Sequence, residues 1–286
     1  DTPPDEVHRA YRKDNKMGQR AVEAMKMYPA GATTNSEDGV KRIENVYRIF
    51  QVMQEIGMPL CGHFEVTEWR GRRVPHHERE RIAVETVVIP ILEKFPRLKV
   101  VLEHISTKEA AVLVRDDTSG RLGASVTPQH LLYSILDMCE GGLRPDLWCM
   151  PVLKNDEDRD AIREAVTSHH TKFWAGTDSA PHTAASKYSA CCPSGVFSAL
   201  AAVEAYTMAF EEMGALDERF EDFMSYNGPI FFGLEPAEGQ IVLEQKPWQI
   251  EKQFEVTGVG AFTPLFHTPG IPEKEQPWIN WQMKTP

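Results

Sequence analysis

Short apolar runs alternate along this chain with longer segments whose apolar residues recur at helical spacing. The strand-like runs are AVEAMKMYP (21–29), PLCGH (59–63), LKVVLEH (98–104), GASVTP (123–128), LRPDLWCMP (143–151) and TKFWAGTD (171–178). Between them, VYRIFQVMQEIGM, RIAVETVVIPILEKFP, STKEAAVLVRD, NDEDRDAIREAVTS and SALAAVEAYTMAFEEMG read as helices. A proline interrupts the second of these, Ser106 is the expected N-cap of the third, and the fourth opens on acidic residues that suit a helix N-terminus. Strand and helix in regular alternation predict a parallel sheet with crossover helices. Six strands are two short of a closed (β/α)8 TIM-type barrel, so the expected fold is α/β: such a barrel with its first two β/α units missing from the chain. Residues 1–286 read as a single domain, with a Pro- and Trp-rich extension over about 245–286 packed on the barrel.

Several strand-like runs end in a residue capable of chemistry: Lys26 opens KMYPAGATTNS, His63 lies in PLCGHFEVTE, His104 in VVLEHISTKEA, and Asp178 with His182 in WAGTDSAPH. Side chains at strand ends meet at one rim of a (β/α) barrel. Two histidines and an aspartate suit Zn2+, and a binuclear site can bridge a hydroxide that attacks at neutral pH. An ammonium cannot bind a cation. Lys26 is therefore either a surface residue or a carbamate whose two oxygens bridge two metals.

On these strings and TPQHL (127–131), the chain resembles dihydroorotase, the monofunctional bacterial and fungal kind within the amidohydrolase superfamily. The resemblance runs from about Lys16 to WINWQ. It implies two Zn2+ per full-length chain, bridged by carbamylated Lys26, with His63, His104 and Asp178 as further ligands. It also implies that Asp178 is the catalytic acid–base and that His182 contacts the substrate carboxylate. Met150 and Ser194 would meet the pyrimidine ring through backbone groups, and Thr33 and Thr34 would ride a mobile lid. The implied activity is zinc-dependent, reversible hydrolysis of L-dihydroorotate to N-carbamoyl-L-aspartate in pyrimidine synthesis, by a cytoplasmic homodimer. The family's His-x-His-x-Arg string and an asparagine after its second strand do not occur upstream of Lys26. The expectation is a fragment lacking two ligands of the first metal, inactive alone and prone to association through exposed edges.

Net charge of −11 argues against nucleic acid or an anionic membrane as partner. No apolar run approaches the roughly 20 residues that span a bilayer. Cys61, Cys139, Cys149, Cys191 and Cys192 form no paired framework and read as reduced thiols.

Competing readings stay open at this level. His182 could cap the following helix, TTNS could be a helix entry, and His130 could be a partner of the site or simply core. A hydantoinase- or allantoinase-like cyclic amidase would use the same metal chemistry. A non-catalytic dihydroorotase-like chain would account for the missing His-x-His.

Overall fold

In the computed structural model, which describes residues 2–14, 16, 18, 20–250, 253–268 and 272–284, five of the apolar runs form one parallel sheet. Its strands are β1 (Met25–Met27), β2 (Leu60–Gly62), β3 (Val100–Leu102), β4 (Leu122–Val126) and β5 (Phe173–Ala175), arranged across the sheet in chain order. The register places Lys26, Cys61, Val101 and Gly123 side by side in one row, with Ser125 beside Trp174 in the next. Consecutive parallel neighbours joined by helices are the α/β arrangement that the alternation foretold.

Because side chains alternate along a strand, the sheet has two different faces. Leu60, Val100, Leu102, Leu122, Ala124, Val126 and Phe173 pack into the main core with Phe50 and Met53 from helix Tyr47–Ile56 and Ala110 and Val114 from helix Lys108–Asp116. Cys61, Val101 and Trp174 look the other way and meet Phe231. Gly123 is glycine for a steric reason: a Cβ there would stand 2.4 Å from the Trp174 ring. Asn227 secures this side by donating its Nδ2–H to the Phe173 carbonyl at 2.9 Å.

The run 143–151 is not a strand. It forms a 3-10 turn at Pro145–Leu147 and a cis peptide at Met150–Pro151, and β4 pairs directly with β5. Two prolines remove N–H donors that a central strand needs. Leu147, Cys149, Val152 and Leu153 instead join a second core with Val196, Ala201, Ala205, Ile250, Leu265, Phe266 and Ile279.

Several local expectations shift by small, explicable amounts. Thr107, not Ser106, caps helix Lys108–Asp116 by accepting from Ala110 N–H, because Ser106 is engaged with Glu80. Asn155 caps helix Asp156–Val166 and Asp156, Glu157 and Asp158 fill its first turn, as the dipole favours. The proline-containing helix splits into Arg79–Ala83, a π-helical Val84–Val88 and Ile89–Lys94, with Pro90 just after the π turn. A further helical stretch from Glu218 to Phe232, also with a π turn at Asp222–Tyr226, follows helix Ala202–Glu212.

Within the stretch 245–286, residues 251–252, 269–271, 285 and 286 lie outside the described residues. Of the remainder, Gln282–Met283 pairs with Leu243–Glu244, Trp248 exchanges backbone hydrogen bonds with Ile279, and Trp281 Nε1–H donates to Glu211 at 2.9 Å. No helix among the described residues is long and apolar enough to cross a membrane.

Candidate active site

Each histidine of the strand-end pair is placed by its strand. His63 follows β2 directly and its N–H donates to Met27 O at 2.9 Å, tying it to β1. His104 comes two residues after β3 in a left-handed conformation (φ 44°), its N–H held by Ser125 Oγ at 2.8 Å. Asp178, beyond β5, shares that conformation (φ 43°). Non-glycine residues with positive φ are uncommon and cluster where a site must aim a side chain.

The two imidazoles meet edge to face, with His63 Nδ1 and His104 Nε2 separated by 3.3 Å and ring centroids by 4.8 Å. His63 Nε2–H donates to buried Glu65 at 2.8 Å, which fixes the tautomer and turns the lone pair of Nδ1 toward His104. Burial, reinforced by His63 and Lys26, holds the His104 pKa well below the ordinary value, so its ring is neutral. Its Nδ1 has no partner although it is buried.

Lys26 and Asp178 stand close enough to this pair to act on it electrostatically. Lys26, with 42% of its side chain exposed, donates to Glu103 at 3.3 Å. Asp178 keeps an exposed surface, yet desolvation by the protein around its carboxyl raises its pKa, against the opposing pull of Lys26 and His63. Cys61, Lys26's neighbour in register, carries a thiol pushed up to about 12 by burial and by Glu103. That thiol is inert at neutral pH.

The residues fit zinc on their own geometry. Two nitrogens on one tetrahedral Zn2+, each at about 2.0–2.1 Å, stand roughly 3.3–3.4 Å apart, matching the observed His63–His104 pair. A carboxylate behind a ligating histidine, as Glu65 stands behind His63, is the usual support of such a ligand. Among the described residues, no three His, Cys, Asp or Glu side chains form a ligating cluster, so the fit to zinc rests on this pair alone.

A second group gathers at the loops. Thr34 Oγ1 and Ser194 Oγ are 2.8 Å apart, Ser194 N–H donates to Thr34 Oγ1 at 3.1 Å, and His182 Nε2–H donates to Ser194 O at 3.0 Å. Three of the five residues expected to meet substrate therefore touch one another. Thr33 is turned instead toward Ser36, whose Oγ accepts its N–H at 3.0 Å, and Met150 sits at the cis peptide. TTNS opens no helix, and Thr183 rather than His182 caps the short helix Ala184–Lys187. His130 is buried between Thr127 and Pro151 O, on which its Nε2–H closes at 3.1 Å.

Two acidic residues of this site escaped the sequence reading, Glu65 and Glu103. Glu65 stands two residues after His63, on the same side of an extended chain, and that spacing was the available signal.

The profile of the Amidohydrolase family matches residues 3–242. A dihydroorotase of Aromatoleum aromaticum is 44% identical over 264 residues, 92% of this chain and 74% of that protein. Among solved structures, dihydroorotase from Saccharomyces cerevisiae in complex with 5-fluoroorotic acid superimposes with a TM-score of 0.83 at 26% identity, over 98% of this chain and 77% of that one. Dihydroorotase from Campylobacter jejuni gives 0.82 at 28% identity, over 99% and 75%. This chain thus spans about three quarters of the relatives it matches. With its parallel strand order, its paired histidines and these likenesses together, the chain belongs to the amidohydrolase family and, within it, to the dihydroorotases.

Proposed function

We propose that this chain carries dihydroorotase chemistry, the zinc-dependent, reversible hydrolysis of L-dihydroorotate to N-carbamoyl-L-aspartate, with ring closure the biosynthetic direction. The single observation that supports it most is the pair of imidazole nitrogens 3.3 Å apart, backed by Glu65. His63 and His104 would hold one zinc, carbamylated Lys26 would bridge it to a second, and Asp178 would ligate that second ion. Bound zinc supplies Lewis acidity to the ring carbonyl and brings the pKa of water down toward about 7.

Asp178 takes up the proton released when water adds to the ring carbonyl carbon and delivers it to the ring nitrogen as the C–N bond breaks. Desolvation raises its pKa, which makes it a better base than a fully solvated carboxylate. His182, at the mouth of the 193–195 loop, meets the substrate carboxylate. Backbone groups of Met150 and Ser194 meet the ring, and Thr33 and Thr34 close over it. The reading carries with it a cytoplasmic homodimer acting on a small anion, with neither nucleic acid nor membrane as partner.

The test is turnover of a purified protein that carries this chain together with the family's His-x-His-x-Arg string, reconstituted with zinc and bicarbonate, on dihydroorotate, hydantoin and allantoin in parallel. Hydrolysis of dihydroorotate alone is expected. Preference for another ring would transfer the reading to a different cyclic amidase, and turnover of none would leave a non-catalytic dihydroorotase-like chain. Elemental analysis that finds no zinc after reconstitution, or a Lys26→Ala variant of undiminished activity, would remove the bridging carbamate.

A further inference from the structure

Lys187 ends the short helix Ala184–Lys187 and is 4% exposed, a rare position for a lysine that makes no ion pair with a carboxylate among the described residues. Its ammonium donates to three backbone carbonyls instead: Trp148 O at 3.1 Å, Pro193 O at 3.0 Å and Gly195 O at 2.9 Å. An ammonium has three N–H groups, and here each has a carbonyl. Those carbonyls belong to two loops far apart in sequence. One leads into Met150 and the other carries Ser194. The loops touch through one backbone bond besides, Gly195 N–H to Trp148 O at 2.9 Å. Gly195 lies at φ 153°, and a Cβ there would stand 2.4 Å from Ala180 O, so this approach admits only glycine.

The rest of the Met150 loop is held in the same manner. His130 and Cys149 Sγ–H donate to Pro151 O at 3.1 and 3.3 Å, and buried Lys154 donates to Val152 O at 2.8 Å. Met150's own N–H and carbonyl have no protein partner among the described residues. A loop tied back through the carbonyls of Trp148, Pro151 and Val152, with the Met150 backbone left without a protein partner, is arranged to present that backbone to a ligand.

We propose that Lys187 is a positioning residue, whose buried ammonium locks the Trp148–Pro151 and Pro193–Gly195 loops into one unit that presents the Met150 backbone and Ser194 to the substrate ring. This rests on the dihydroorotase reading. The loss of Lys187 moves the ring-binding backbone without touching Asp178 or the histidine pair, so it weakens ground state and transition state alike. KM then rises while kcat holds.

The experiment uses the protein that carries this chain together with the His-x-His-x-Arg string, and compares wild type, Lys187→Met and Lys187→Arg by steady-state hydrolysis of L-dihydroorotate with zinc and bicarbonate, and by amide hydrogen exchange across both loops. In Lys187→Met, KM is expected to rise about 10- to 100-fold with kcat within about threefold, as for a displacement of binding groups by an ångström or less. The Gly195 amide should exchange faster, and Lys187→Arg, which keeps the donors, should restore most of both effects. Should the methionine variant not fold, Lys187→Gln takes its place. Unchanged exchange at Gly195, or a fall in kcat with KM unmoved, overturns the proposal. Absence of turnover in the wild type with the exchange difference intact refutes the ring-presenting role through the functional reading, and leaves Lys187 a staple only.

Discussion

The strand-end group and the loop group of this site are built by opposite means. His63, His104 and Asp178 take their positions from the sheet, each a side chain projecting at or just beyond a strand end, with short supports such as Ser125 and Glu65. The Met150 and Ser194 loops are set by buried side chains that hold backbone carbonyls: Lys187, Lys154 and His130 do what a strand ladder does elsewhere. In the first group the backbone is regular, and on the proposed function the side chains would be the reagents. In the second the side chains are the scaffold, and the backbone would be the reagent. A substitution in the first should therefore strike chemistry, and one in the second should strike stability or substrate binding.

Asp178→Asn is the sharpest way to test the first half of that contrast. An amide neither accepts the proton nor carries the charge, so kcat should fall by about 10²- to 10⁴-fold. The thermal midpoint should hold or rise, since a partly desolvated carboxylate with a raised pKa is replaced by a neutral isostere. Wild-type turnover in this variant would place the acid–base elsewhere.

The loop half should show itself in the pH dependence of stability. Burial, and then the Lys154 charge, push the His130 pKa down to about 3. Between the ordinary value near 6.5 and about 3, the unfolded chain binds a proton that the folded chain refuses, so stability falls as pH falls through that window and is fully present above it. The full span is worth on the order of 5 kcal/mol. Urea unfolding of wild type and His130→Gln at pH 7, 5 and 4 should give a steeper acid loss in the wild type. Parallel curves would mean that His130 is solvated in acid. A smaller effect follows at Lys154, whose ammonium donates to Ser106 Oγ at 3.0 Å, while Ser106 in turn donates to buried Glu80. Glu80's pKa is raised to about 6, by burial first of all. Lys154→Met alone should cost about 3 kcal/mol at pH 7, and Glu80→Gln in the same chain should recover part of it, a coupling that a double-mutant cycle measures.

The same contrast explains what could be read without coordinates. His63, His104 and Asp178 were legible because a polar residue closing an apolar run is a local pattern, and the α/β alternation around them is local too. Residues 143–151 misled because Leu147, Trp148, Cys149 and Met150 look like a strand, whereas Leu147, Trp148 and Cys149 serve the second core and the flanking prolines forbid the ladder. Helical Glu218–Phe232 was hidden by Asn227, Gly228 and Pro229, a turn-like string. There Asn227 is occupied with the Phe173 carbonyl and Gly228 lies against Trp174, 3.3 Å from where its Cβ would be. Lys187 left no trace at all, since its partners Trp148, Pro193 and Gly195 are brought to it by the fold and a buried lysine has no local signature.

Glu65 offers the finest division between the two halves, because it supports a reagent and touches no loop carbonyl. It accepts from His63 Nε2–H and leaves its other oxygen buried without a partner. Glu65→Gln keeps shape and an acceptor but removes the charge that makes His63 a stronger donor toward zinc. Loss of such a support lowers metal affinity by about 10- to 100-fold. Zinc competition against a chromophoric chelator at fixed pH should register that drop, and Lys187→Met, measured in the same way, should leave zinc affinity within about threefold of wild type because its partners lie in the other half. Equal losses in both variants would mean that ligand and loop groups form one coupled unit, and the separation argued from their construction would fail.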